Sequence, residues 1–187
     1  MVQNGIETVL KNNPVIPVAT IHNAAELESI VAKIQAVGIN CIEITLRTEY
    51  ALEAIKQLKT KAIPGFFVGV GTVIRPEQVE QVKALEVDFI VSPGLTEKLS
   101  EALAVSGIPY IPGVSTVSEI MLGMEENCAF FKFFPANLSG GIDALKAFGQ
   151  LFPTVKFCPT GGITENTYES YLAEKNIVSV GGSWMLK

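Results

Sequence analysis

Lys132 stands alone in an apolar run, Ala129-Phe130-Phe131-Lys132-Phe133-Phe134-Pro135. Four phenylalanines within five residues favour an extended strand buried on both faces, and the run is too short for a helix. An ammonium in such a strand must find a counter-charge or give up its proton, because an isolated buried charge is costly. The bland outcomes are a side chain that snorkels to the strand end or a structural ion pair. The chemical outcome is a nucleophilic amine. The flanking phenylalanines are expected to desolvate the ammonium and so favour the neutral, attacking form. Pro135 ends the strand, which puts Lys132 near its C-terminal end.

A second charged residue occupies a similar setting. In Cys41-Ile42-Glu43-Ile44-Thr45-Leu46-Arg47 the alternation sends Cys41, Glu43, Thr45 and Arg47 to one face and Ile42, Ile44 and Leu46 to the other. The apolar face should pack on helices, so Glu43 points inward, where a carboxylate is either partnered, for instance by Arg47, or catalytic. Two glycine-rich stretches, Thr160-Gly161-Gly162 and Gly181-Gly182-Ser183, add backbone N–H groups of the kind that cradle phosphate. Each alone could be a tight turn. Together these groups describe one reaction: an amine attacks a ketone to form a Schiff base, and a carboxylate moves protons while the adjacent carbon–carbon bond is made or broken.

Such residues converge only if the strands carrying them run side by side. Apolar strand-like runs at residues 15–21, 41–47, 66–72, 88–91, 110–112, 129–134, 155–158 and 177–180 alternate with helical patterns. Those helices begin near Asn23, Thr48, Pro76, Glu97, Ser118, Ala144 and Glu165, and a short amphipathic helix over residues 3–12 precedes the first strand. Asn23 with Glu26 has the form of a capping box, Gly38 closes the helix it starts, and Pro76 suits a first helical position. About eight strand–helix units imply a parallel sheet and an α/β fold, and fit a (β/α)8 TIM barrel. No Gly-x-Gly-x-x-Gly fingerprint of a dinucleotide-binding sheet follows the first strand. The C-terminal strand ends then bring together Thr20, Glu43, Arg47, Thr72, Pro93, Pro112, Lys132, Phe134, Thr160, Gly161, Gly162, Gly182 and Ser183. No helix follows the last strand, so that side is expected to be covered by the N-terminal helix, a neighbouring subunit or further residues.

Composition narrows the function. The chain has 187 residues, 48% of them hydrophobic and 18% charged, with a net charge of −5. It is read as one domain over residues 1–187, with no linker or low-complexity segment. The acidic balance argues against nucleic acid or a membrane surface as partner, and no apolar run approaches the length of a membrane span. The N-terminus lacks the pattern of a signal peptide, which points to the cytoplasm. Cys41, Cys128 and Cys158 have no metal-ligand spacing and read as reduced core residues. With His22 the only histidine, neither a histidine metal site nor a Ser-His-Asp triad is easily built, and no metal or cofactor is expected.

Seven motifs in order carry a family resemblance: Glu43-Ile44-Thr45-Leu46-Arg47-Thr48, Val70-Gly71-Thr72-Val73, Ser92-Pro93-Gly94-Leu95-Thr96, Ile111-Pro112-Gly113-Val114-Ser115-Thr116, Phe131-Lys132-Phe133-Phe134-Pro135-Ala136, Cys158-Pro159-Thr160-Gly161-Gly162-Ile163 and Gly181-Gly182-Ser183-Trp184. They resemble the 2-keto-3-deoxy-6-phosphogluconate (KDPG) aldolases, from about Val15 to Trp184. The resemblance implies a class I aldolase of the Entner–Doudoroff pathway, cleaving KDPG reversibly to pyruvate and glyceraldehyde 3-phosphate and often acting on 4-hydroxy-2-oxoglutarate. It implies Lys132 as the Schiff-base lysine, Glu43 as proton shuttle, and Arg47 with Thr72 at the pyruvate carboxylate. Gly161, Gly162 and Ser183 would receive the phosphate, while Phe134 and Pro93 line the pocket. It also implies a homotrimer and a final helix that this sequence lacks. The rival expectations are a non-catalytic sugar-phosphate-binding barrel or assembly scaffold, and an aldolase for the galactonate epimer.

Overall fold

A computed structural model of the chain describes residue 3 and residues 5–186. The elements follow the expected alternation. Helix α1 (Ile6–Asn12) leads to β1 (Val15–Ala19), α2 (Ala24–Ala36), β2 (Cys41–Thr45), α3 (Ala51–Lys61), β3 (Phe67–Gly71) and α4 (Pro76–Lys83). Then come β4 (Phe89–Val91), α5 (Glu97–Ser106), β5 (Tyr110–Ile111), β6 (Gly113–Val114), α6 (Val117–Glu125) and β7 (Phe130–Phe133). The chain continues through α7 (Gly141–Leu151), β8 (Lys156–Pro159), α8 (Tyr168–Leu172) and β9 (Val180–Gly182), and a 3-10 turn covers Trp184–Leu186. Of the helix expected over residues 3–12, residues 6–12 form it, and residue 4 lies outside the described residues.

Every strand pair is parallel. Six strands form one sheet in the order β5-β4-β3-β2-β1-β9, and three form another in the order β6-β7-β8. The single strand expected at residues 110–112 is two short strands, because Pro112 has no N–H to donate. Tyr110–Ile111 pairs with β4, Gly113–Val114 pairs with β7, and the Pro112 carbonyl between them accepts from the Lys132 N–H at 2.9 Å. Parallel bridges between Phe157 and Ile177 and between Thr160 and Gly181 join β8 to the β9 segment. The last strand lies at 180–182 rather than 177–180, because β1 pairs Ile16 with Gly181 and Pro17 with Gly182. The Gly181-Gly182 pair, expected just past the strand end as a phosphate-cradling stretch or a tight turn, therefore lies within the strand.

Helix starts obey local chemistry. Asn23 caps α2 by accepting from the Glu26 N–H at 2.9 Å, but Glu26 takes the His22 N–H at 2.7 Å instead of returning a bond to Asn23. Thr116 and Glu119 form a full capping box on α6.

Two buried clusters organise the interior. The larger lies between the strands and the helices and takes the outward residues of the strands, such as Ile42, Ile44, Val68, Val70, Phe131, Phe133 and Phe157. The smaller collects the opposite face: Ile6, Val9 and Leu10 from α1, with Ile16, Cys41, Phe89, Val91, Ile111 and Cys158. It draws strands of both sheets around α1, so both share one inner core. Among the described residues no helix is long and apolar enough to cross a membrane.

Candidate active site

Alternation along β7 decides where its side chains go. Phe131 and Phe133 turn to the helix layer, where Phe133 meets Phe148 edge-on at 5.8 Å and Phe131 lies 6.4 Å from Phe157. These aromatic contacts hold the strand's outer face and force Lys132 to the inner one. Lys132 is 5% exposed and Glu43 3%, and Nζ lies 3.3 Å from Glu43 Oε1. The ammonium also sits 5.1 Å from the centre of the Phe134 ring. The expectation that the phenylalanines together desolvate Lys132 therefore needs correction. Among the described residues Phe134 alone has its ring over the amine, while Phe131 and Phe133 act by fixing the strand.

Glu43 reaches Lys132 because β3 leaves room for it. A Cβ on Gly71 would fall 2.0 Å from Glu43 Oε1 and 2.7 Å from its carboxyl carbon. The structural pair with Arg47 does not form. Arg47 instead donates from Nε to Thr72 Oγ1 at 3.1 Å. Thr72 has φ +59, a left-handed conformation uncommon for a β-branched residue. Such backbone strain persists where surrounding structure fixes it, often at functional sites.

A cavity of about 220 Å³ opens at this end of the strands. It is lined by Val18, Thr20, Arg47, Lys132, Phe134, Thr160, Gly161, Gly162, Ile163, Gly182 and Ser183. Nine of the expected site residues thus share one space, Glu43 joins them through Lys132, and Thr72 through Arg47. Pro93 is not among the lining residues. Its backbone packs on β6, with its carbonyl carbon 2.2 Å from where a Gly113 Cβ would stand.

At the far side of the cavity, Gly161 and Gly162 have φ of +102 and +71, and a side chain on Gly162 would collide with Asn137. Only glycine suits that loop. The N–H groups of Gly162 and Ser183 have no acceptor among the described residues, which leaves them available to an anion. Two lining residues, Val18 and Ile163, were not singled out by the sequence, whereas Thr20 was, as the end of the first strand. The period-two series Ile16, Val18, Thr20 was the signal for Val18, since it runs from the inner core into the cavity.

Beneath the site the inward residues are apolar and thiol. Cys158, the register partner of Lys132, is held by burial to a pKa of about 12, above its ordinary 9.0, although the nearby lysine pulls the other way. Cys41, two residues before Glu43, is raised as well, mainly by burial and then by the Glu43 carboxylate.

Comparison with known proteins agrees with this geometry. Residues 6–187 match the aldolase family described as KDPG and KHG aldolase. The KHG/KDPG aldolase of Escherichia coli K12 is 44% identical over 180 residues, covering 96% of this chain and 84% of that protein. The crystal structure of KDPG aldolase from Legionella pneumophila, with pyruvate captured as a covalent carbinolamine intermediate, is 44% identical with a TM-score of 0.93, over 97% of this chain and 87% of that one. The 2-keto-3-deoxy-6-phosphogluconate aldolase of Zymomonas mobilis ZM4, solved with 3-phosphoglycerate, is 41% identical with a TM-score of 0.92, over 97% and 86%. With a matching model over nearly its whole length and relatives of this similarity, the chain belongs to the KDPG and KHG aldolase family.

Proposed function

We propose that Lys132 is the Schiff-base lysine and Glu43 the proton shuttle of a class I aldolase that reversibly cleaves 2-keto-3-deoxy-6-phosphogluconate to pyruvate and glyceraldehyde 3-phosphate. The same site would accept 4-hydroxy-2-oxoglutarate. The observation that carries the reading is the buried pair itself, Nζ to Oε1 at 3.3 Å, where the inner face meets the cavity.

The chemistry follows from that placement. Glu43 takes a proton from Lys132, whose nitrogen lone pair attacks the substrate's C2 carbonyl carbon. Proton return to the oxygen of the resulting carbinolamine lets it leave as water, giving the iminium. The C3–C4 bond then breaks toward the iminium nitrogen as the C4 hydroxyl gives up its proton to Glu43, so an aldehyde departs and an enamine remains. Protonation at C3 and addition of water release pyruvate and free Lys132. Arg47, held by Thr72, is placed to pair with the keto-acid carboxylate. Gly161, Gly162 and Ser183 offer N–H groups to the phosphate, a role supported by the phosphorylated ligand of the Zymomonas relative.

The same reading joins the two sheets into one closed (β/α)8 barrel domain, supported by the chain's continuity through Pro112 and the two bridges from β8. It also makes the protein a cytoplasmic homotrimer, for which the exposed apolar residues Val117, Met121 and Met124 on α6 offer a surface. Incubation with pyruvate and borohydride should place a stable adduct on the peptide containing Lys132. An unmodified Lys132 would sink the assignment.

A further inference from the structure

Thr20 lies just after β1, lines the cavity and is half-buried. Its hydroxyl is 3.0 Å from the Thr45 hydroxyl, and Thr45 donates to the Ala19 carbonyl at 3.1 Å. A hydroxyl carries one proton, and a carbonyl can only accept. The Thr45 proton is therefore committed to Ala19, so the Thr20 proton must go to Thr45. What remains of Thr20 toward the cavity is an acceptor with no other partner among the described residues.

That direction selects its ligand. A carboxylate and a phosphate are acceptors and would be repelled. The aldehyde oxygen formed by cleavage is also an acceptor, so a group that gives up its proton during the reaction does not match Thr20 on both sides of the step. A hydroxyl that keeps its proton throughout does.

We infer that Thr20 is a specificity-determining residue which accepts a hydrogen bond from the non-reacting hydroxyl beside the aldehyde carbon. The assignment rests on the aldolase reading and adds the group of the acceptor aldehyde that the site inspects. Thr45 is the positioning residue that aims Thr20 by taking its proton.

The test is aldol addition of pyruvate to two aldehydes, glyceraldehyde 3-phosphate and its analogue lacking the 2-hydroxyl. Thr20→Val should lower kcat/KM about tenfold for the hydroxylated aldehyde and hold it within about twofold for the deoxy analogue. Thr20→Ser, which keeps the hydroxyl, should restore the wild-type ratio. Equal losses on both aldehydes, no loss on either, or a serine variant that behaves like valine would overturn the assignment. Borohydride trapping of pyruvate on each variant separates the two readings. If wild-type Lys132 is not trapped, the aldolase reading fails and this one with it; if trapping is intact and the aldehyde ratio unchanged, only the Thr20 assignment fails.

Discussion

Two neighbouring levels of the same inner face have opposite characters. At the lower level, α1 lays Ile6, Val9 and Leu10 against Ile16, Cys41, Phe89, Val91, Ile111 and Cys158, and the interior is apolar and filled. Two residues along, the strands present Glu43 and Lys132, and beyond them Thr20, Arg47 and Thr160 face the cavity. Strand β3 shows the change most sharply. Gly69 leaves room for the Phe89 ring, which a Cβ would approach to 2.1 Å, and Gly71 leaves room for the Glu43 carboxylate, which a Cβ would approach to 2.0 Å. The same residue type, on one face of one strand, makes space for packing at one level and for chemistry at the next. The filled level supplies the rigid base that a buried ion pair requires if its geometry is to be held.

The largest way to break the comparison is at Lys132. Lys132→Met should reduce turnover on the order of 10⁴-fold or more, since among the described residues no other lysine lines the cavity and the proposed mechanism runs through its amine. It should also lower stability by about 3–5 kcal/mol, because Glu43 is left buried without its partner. Lys132→Met combined with Glu43→Gln should regain much of that stability without regaining activity. Urea unfolding beside a pyruvate-coupled cleavage assay reads both. If the single variant is as stable as wild type, the pair does not constrain the fold as described.

Glu43→Gln alone should slow proton exchange at the pyruvate methyl by about 10²-fold while Lys132 is still trapped by borohydride. Near-normal exchange would remove Glu43 from the proton-transfer role.

The two glycines sharpen the comparison further. Gly71→Ala should cost about tenfold or more in turnover, because a displaced carboxylate no longer meets the amine and small misplacements at a reacting centre are expensive. Gly69→Ala should instead cost about 1–3 kcal/mol of stability by overpacking against Phe89, with turnover per folded molecule retained. Reversal of that pattern would mean that the two levels are not separable.

How much of this was legible in the chain depends on the interaction involved. The order of strands and helices was, because the period of apolar residues, the cap at Asn23 and the helix-starting Pro76 are local. The inward turn of Glu43 was legible for the same reason, from alternation with Ile42 and Ile44. The break at Pro112 is a residue property that was present but read as a strand end, and the placement of β9 at Gly181 and Gly182 depends on register with β1, which no local pattern contains. The role of Gly71 was hidden too, since the atom it makes room for lies 28 positions earlier. The phenylalanines were over-read: strict alternation already separates Phe131 and Phe133 from the face of Lys132, so crowding in sequence did not mean crowding around the amine.

The smallest effect belongs to Cys158, which sits on the filled level opposite Lys132 in the register. In the unfolded chain its thiol ionises near the ordinary 9.0, whereas in the folded protein it keeps its proton up to about 12. Between those values unfolding releases a proton, so stability is undiminished below pH 9 and falls as pH rises toward 12. Cys41 and Cys128, also raised by burial, add to the same slope. Urea midpoints measured from pH 8 to 11 should therefore decline above 9, and Cys158→Ala should make the decline shallower. At pH 8 the variant should keep most of its turnover, because the thiol fills space beneath the amine and takes no proton in the reaction. A large loss of activity there, with Lys132 still trapped by pyruvate and borohydride, would move the boundary between packing and chemistry one residue lower on β8.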